Sequence, residues 1–195
     1  MDKKPHQSLD GNLRKRFYLF RHGEVDYTGT GGVVKDPDLV NLTENGQKQA
    51  VIIDENTKDF LIERIISSGL PRTLQTARHI AERRNLEIES FPSLKEYQWD
   101  PELLVKTDIK KFGYLFEDSK AKEMIGGTED ADEFYNRVTC KLEELIKEDW
   151  NNMAAFLHGA VNAAIMCWVN DVDISYASKY DQDHACLNII DIDIN

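Results

Sequence analysis

Apolar residues in this chain fall into two alternating patterns. Phe17-Tyr18-Leu19-Phe20 and Met153-Ala154-Ala155-Phe156-Leu157 are short, unbroken runs, as expected of strands covered on both faces, and Arg64-Ile65-Ile66-Ser67-Ser68 is short and branched, hence another strand. Ile88 marks a further short strand. Cys186 to Ile194 is branched and alternates late with Asp191 and Asp193, as an edge strand does. Between these runs, apolar positions recur every three or four residues. Ala50, Ile53 and Phe60 follow the candidate cap Thr43; Leu74, Ala77 and Ala81 follow Pro71, which suits a first helical turn. Phe134, Val138, Leu142 and Leu145 form a third stripe, and Ala160 to Val169 is apolar nearly all round, hence deeply packed. The spacing predicts helices over about 43–59, 71–84, 128–147 and 160–169. Thr128 is the expected cap of the third, with Glu129, Asp130 and Asp132 favourably placed near its positive end.

Strands alternating with helices, and too apolar for exposure on either face, predict a three-layer α/β/α sandwich with a mostly parallel central sheet. The 195 residues suffice for one domain. Residues 1–15 read as a flexible lead-in, polar and mildly basic, and 16–195 as a single domain. Within it, 92–127 is irregular, broken by Pro92, Pro101, Gly113, Gly126 and Gly127, and reads as a partial cap.

Composition narrows the class. The first sixteen residues lack a signal-peptide core, and no run reaches the roughly 18 to 20 apolar residues of a membrane helix, so neither export nor a membrane is expected. Cys140, Cys167 and Cys186 have no metal-ligand spacing; each lies among apolar residues in sequence, which fits unpaired thiols in a reducing cytoplasm. A formal net charge of −11 repels phosphate backbones and argues against nucleic acid. An anionic ligand would need a local cationic pocket. No feature of the pattern specifies an oligomeric state.

Such a pocket is legible. Ligands of open α/β sheets bind outside the carboxyl ends of the strands. The first strand runs into Arg21-His22-Gly23, a later one into His158-Gly159, and Arg72 opens the helix after Ile65-Ile66. Two arginines and two histidines on one edge suit a phosphoryl group, because guanidinium groups grip its oxygens bidentately. The loop with Gly29, Gly31 and Gly32 lacks the ending of a nucleotide-binding P-loop. No pair of histidines has metal-ligand spacing, so neither a metal nor a cofactor is expected.

Leu19-Phe20-Arg21-His22-Gly23-Glu24, Leu42-Thr43-Glu44-Asn45-Gly46-Gln47-Lys48-Gln49-Ala50, Ser67-Ser68-Gly69-Leu70-Pro71-Arg72-Thr73-Leu74-Gln75-Thr76-Ala77 and Leu157-His158-Gly159 resemble, in order and spacing, the successive motifs of the histidine phosphatase superfamily, the phosphoglycerate mutase-like family. The resemblance runs from about Phe17 to the C-terminus. It implies the phosphoglycerate mutase-like fold and a two-step phosphoryl transfer without metal. His22 would accept the phosphoryl group as phosphohistidine. Arg21, Arg72 and His158, with Gly159 beside it, would bind the phosphate oxygens and stabilise the transition state. Physical reasoning adds that the two guanidinium groups keep His22 unprotonated, and that its other ring nitrogen donates to a fixed acceptor such as a backbone carbonyl.

The leaving oxygen needs a proton. Leu94-Lys95-Glu96 matches the family's "Leu-x-Glu" element, which makes Glu96 the implied acid and, in the second step, base. Tyr97-Gln98-Trp99-Asp100-Pro101 then departs from the family pattern, leaving Asp100 and Asp26 as alternative donors. Gly126-Gly127-Thr128-Glu129 inverts the chemistry of the family's Gly-Glu-Ser segment and reads as a helix cap. His184 and Cys186 fall near the pocket end of the last strand, His184 as a candidate ligand contact. The expected function is hydrolysis of a small phosphorylated metabolite. Mutase-type transfer and a non-catalytic phospho-ligand binding module are the alternatives. The aromatics and lysines between Tyr97 and Phe116 would either read the leaving group or pack the cap.

Overall fold

The computed structural model describes residues 6–7, 13–28, 35–98 and 129–193. Six strands form one sheet: β1 (His6–Gln7), β2 (Leu13–Arg21), β3 (Arg64–Ser67), β4 (Ile88–Ser90), β5 (Asn152–Leu157) and β6 (Leu187–Asp193). β2, β5, β3 and β4 are parallel neighbours in that order. β6 lies antiparallel along the other side of β2, and β1 adds a two-residue antiparallel pairing to the start of β2.

Helices α1 (Glu44–Asn56), α2 (Pro71–Arg84), α3 (Ala131–Lys147) and α4 (Gly159–Val169) complete the layers. Alternate strand residues feed two separate cores. Phe17, Leu19, Ile66, Met153, Ala155 and Leu157 join the stripe of α3 and the apolar α4. Tyr18, Phe20, Ile65, Ala154 and Phe156 pack with Ile53 of α1 and Ala77, Ile80 and Ala81 of α2. The three-layer sandwich with a mostly parallel sheet follows, because strands covered twice must be apolar at every position.

Several expectations change. The expected lead-in over 1–15 overlaps two strands: His6–Gln7 form β1, and Leu13, Arg14 and Lys15 already belong to β2. Their partners explain this. Arg14 and Arg16 stand opposite Asp193 and Asp191 in the β2–β6 register and pair with them. Lys15 lays its ammonium over Trp150 and donates to the Ile146 and Glu148 carbonyls. The basic tail and the acidic edge strand are thus complementary halves of one pairing.

The strands are not all hidden. Glu89 and Ser90 of β4 are exposed because that strand sits at a sheet edge, while β6 is the edge strand that its alternation predicts, with Ile189, Asp191 and Asp193 exposed. α1 stops at Asn56, where Thr57 takes the cap position and returns its N–H and hydroxyl to Ile53. Asp130, not Thr128, caps α3: its carboxylate accepts the N–H groups of Asp132 and Glu133. Cys140 is exposed, so only Cys167 behaves as a buried apolar residue. Of the expected cap, Pro92–Leu94 form one turn of 3-10 helix; Trp99, Asp100 and the segment onward to Thr128 lie outside the described residues. So does the glycine-rich loop from Gly29 to Gly32. Further 3-10 turns are Pro37–Leu39 and Ile174–Lys179, the latter packed on α4.

Candidate active site

The carboxyl ends of the parallel strands deliver the expected residues to one place. Arg21 closes β2 in register with Leu157 of β5, so the next residues, His22 and His158, are neighbours. Their rings meet edge to face with centroids 5.3 Å apart. Both are buried, as is Arg72, which is 1% exposed at the second position of α2. Glu96 follows the 3-10 turn after β4 and is 8% exposed.

Hydrogen bonds fix the orientation of His22. Its Nδ1 lies 2.7 Å from the Gly23 carbonyl. A carbonyl only accepts, so Nδ1 carries the proton and Nε2 keeps its lone pair. Burial and the guanidinium groups of Arg72 and Arg21 push the ring's pKa well below that of a free histidine. The backbone is held as firmly: the His22 N–H donates to Leu157, and the His22 carbonyl accepts from Ala185.

The second motif is what holds this loop. The Thr43 hydroxyl donates to one carboxylate oxygen of Glu24 at 2.7 Å and the Asn45 amide to the other at 2.9 Å, while Gln49 receives the Glu24 N–H. Gly46 lets α1 approach so closely that a Cβ there would stand 2.2 Å from the Glu24 carbonyl oxygen. A Cβ on Gly23 would likewise stand 2.7 Å from the Gly46 oxygen. Thr76 of α2 accepts the Gly23 N–H and donates to the Arg72 carbonyl, which links the histidine loop to α2.

The cations have distinct tethers. Arg72 donates to the Pro37 carbonyl and stacks on Tyr27, with 5.9 Å from guanidinium carbon to ring centroid. Arg21 donates to the Gln182 carbonyl and to Nε2 of His184 at 3.2 Å. Accepting that bond leaves the His184 ring neutral, and burial beside Arg21 lowers its pKa to about 4. His184 reaches within 5.6 Å of His22, centroid to centroid, so the structure brings it into the cluster. His158 bonds through Nε2 to the Ser68 hydroxyl at 2.8 Å. Burial and Arg72 keep it, too, well below the usual histidine range. Gly159 opens α4 directly behind it. Three buried nitrogens in this cluster have no hydrogen-bond partner among the described residues: Nε of Arg21, Nε of Arg72 and Nδ1 of His158.

Glu96 behaves oppositely. Its two oxygens accept the N–H groups of Tyr97 at 2.9 Å and of Ala160 at 3.3 Å. Burial raises its pKa, although those bonds and the charges of Arg72 and Arg21 pull the other way. A lone pair that resists protonation thus shares a pocket with a carboxyl that gives up its proton less readily than a free glutamate. Asp26 is not a comparable candidate. It is exposed, bonded to Thr28 and Lys35, and held below the usual carboxylate range by those bonds. Asp100 lies outside the described residues.

Comparison with known proteins gives the lineage. Residues 17–195 match the model of the histidine phosphatase superfamily, branch 1. The chain belongs to that superfamily. Phosphoserine phosphatase 1 of Hydrogenobacter thermophilus is 31% identical over 90% of this chain and 85% of its own length. A probable phosphoglycerate mutase of Proteus mirabilis is 34% identical, but the match covers 58% of this chain and 51% of that protein. The fold is shared with a putative alpha-ribazole-5'-P phosphatase from Escherichia coli, at a TM-score of 0.74 and 22% identity over 92% and 91% of the two chains. A mycobacterial glucosyl-3-phosphoglycerate phosphatase superposes with a TM-score of 0.73 at 20% identity, covering 91% and 90%.

Within this histidine phosphatase, Arg21, His22, Arg72, Glu96, His158 and Gly159 all reach the cluster. Sequence reasoning passed over Ser68, Thr76, Tyr27 and Arg137, the last of which donates to the carbonyls of Ser93, Lys95 and Glu96. Ser68 and Thr76 lie inside the third motif but carry no charge to draw attention. Arg137 left a clearer trace, as a charged residue three positions after Phe134 on the inward stripe of α3.

Proposed function

We propose that this histidine phosphatase hydrolyses small phosphomonoesters through a phosphohistidine at His22, without a metal ion. The phosphate oxygens bind the free nitrogens of Arg21, Arg72 and His158. His22 Nε2 attacks phosphorus, the ester P–O bond breaks, and the Glu96 proton passes to the departing oxygen. Water then gives its proton to Glu96 and attacks phosphorus. The N–P bond breaks, and inorganic phosphate leaves. Transition-state charge is met by the arginines, which need no reorganisation at the moment of reaction.

The observation that carries this reading is the pairing of tautomer and burial at His22, with Nδ1–H committed to Gly23 and Nε2 left for substrate. The buried carboxyl of Glu96, its pKa raised by burial, supports turnover over a module that only binds. Likeness to phosphoserine phosphatase 1 over most of both chains makes phosphoserine the first substrate to try. The unpaired cysteines, one of them buried, support a reducing, cytoplasmic setting.

The test is phosphate release from a panel of phosphorylated metabolites, with His22→Ala as blank. Turnover is expected to survive EDTA, and quenched wild-type enzyme to carry an acid-labile, base-stable phosphoryl group that the variant lacks. Transfer to a second hydroxyl in place of release would establish the mutase-type reaction. Full activity in His22→Ala, or activity lost to EDTA and restored by magnesium, would overturn the mechanism.

A further inference from the structure

All five N–H groups of Arg137 are committed around the segment that carries Glu96. Nη1 donates to the carbonyls of Ser93 at 2.7 Å and Lys95 at 2.8 Å. Nη2 donates to the Glu96 carbonyl at 3.2 Å and to Oε2 of Glu129 at 2.8 Å, while Nε donates to Oε1 of Glu129. The guanidinium carbon also lies 4.9 Å from the centre of the Phe134 ring, which keeps the fork on the inner side of α3. Glu129 is tied in twice more, its carboxylate accepting the Gln98 N–H and its carbonyl the Tyr97 hydroxyl.

From this geometry we infer that Arg137, charge-balanced by Glu129, is a positioning residue for the acid–base carboxyl of Glu96. This rests on the reading of Glu96 given above. The segment has no regular ladder of its own after its 3-10 turn, so its backbone carbonyls need partners from elsewhere. One planar fork supplies three of them and, through the carbonyls of Lys95 and Glu96, fixes the peptide planes on both sides of Glu96. The Glu96 carboxyl is held from the opposite direction, by the N–H of Ala160 at the start of α4. Backbone clasped by α3 and side chain clasped by α4 leave the proton donor little freedom. A misplacement of about 1 Å in such a group costs on the order of a hundredfold in rate.

Lysine cannot replace the fork. It keeps the charge but offers three tetrahedral donors in place of five coplanar ones. Arg137→Lys and Arg137→Met should therefore behave alike, which separates positioning from a purely electrostatic effect on the pocket. The experiment measures kcat/KM and single-turnover phosphorylation for aryl phosphates whose leaving groups run from nitrophenol to phenol. It compares wild type, both Arg137 variants, Glu129→Gln and Glu96→Gln.

The Arg137 variants are expected to lose roughly ten- to a hundredfold on the phenyl ester and much less on the nitrophenyl ester, as general-acid loss requires. Their dependence on leaving-group basicity should approach that of Glu96→Gln, and Glu129→Gln should fall between. If an Arg137→Met chain does not fold, Arg137→Lys and Glu129→Gln give the same comparison. Equal losses on both esters, or a lysine variant that matches wild type, would overturn the inference while a steep Glu96→Gln dependence left the Glu96 reading intact. A Glu96→Gln enzyme with wild-type dependence would overturn both.

Discussion

At the scale of single residues, the site shifts two titrations in opposite directions, against the order that free glutamate and histidine follow. Burial and two guanidinium groups push His22 down, whereas burial pushes Glu96 up against the pull of the same cations. The proposed reactive pair, neutral imidazole and protonated carboxyl, is therefore favoured across a wider pH range than free side chains would allow. Activity toward an ester with a basic leaving group should fall on the alkaline side as Glu96 loses its proton, at a pH above the usual carboxyl range. Glu96→Gln should remove that alkaline limb and slow such esters by roughly a hundredfold or more, with nitrophenyl phosphate affected far less. Pre-steady-state rates across pH for both ester types check this; an alkaline limb that survives in Glu96→Gln would assign it to another group. Arg21, His22, Arg72 and His158 were readable in the sequence because each is a charged or ring residue at a strand end or helix start. Ser68 and Thr76 were not, since a hydroxyl acquires meaning only from what it faces.

At the scale of elements, α1 carries one of the four motifs and ties it to Glu24 of the loop after β2. Its first turn fastens the loop after β2 through Thr43 and Asn45 on Glu24, and Gly46 permits the contact. Gly46→Ala would place a methyl carbon 2.2 Å from the Glu24 carbonyl oxygen, with backbone on both sides and no flexible side chain to yield. The expected cost is about 1–3 kcal/mol of stability, as for overpacking elsewhere. The loss of activity should exceed what that instability explains, because Glu24 lies two residues beyond His22. Asn45→Ala, which removes only one exposed hydrogen bond, should leave both properties near wild type. Urea unfolding together with turnover of folded protein would show it, and a stable, fully active Gly46→Ala would refute the role given to this contact. Helix spans were legible from periodicity, but the cap of α3 was not. Thr128 and Asp130 are both good capping residues, and the choice depends on where Ala131 and Phe134 must sit to reach the core.

At the scale of the whole molecule, the alternation of strands and helices was enough to give the sandwich, because double coverage demands apolar strands. The edges were harder. β4 is three residues long, and the basic start of β2 read as solvated until Asp191 and Asp193 of β6 stood opposite it. The same architecture gathers three of the five histidines at one sheet edge and removes two of them, His22 and His158, from water. That burial links stability to pH. Both have folded-state pKa values depressed below the unfolded value of roughly 6.5. Their contribution is fully present above about pH 6.5 and is lost as pH falls toward the folded values, since the unfolded chain then binds protons that the folded chain refuses. Glu96 has the opposite sign, its raised pKa favouring the fold at low pH, so the histidine effect is best isolated by a difference. His22→Asn keeps a donor for the Gly23 carbonyl and removes the titration. Relative to wild type, it should gain stability as pH drops from about 6.5 to 5, at a slope approaching about 1.4 kcal/mol per pH unit. Urea midpoints of the two proteins at half-unit intervals provide the comparison. A difference that stays constant over that interval would mean that the folded protein protonates His22 as readily as the unfolded chain does. The neutral nucleophile on which the proposed chemistry depends would then be absent at mildly acidic pH.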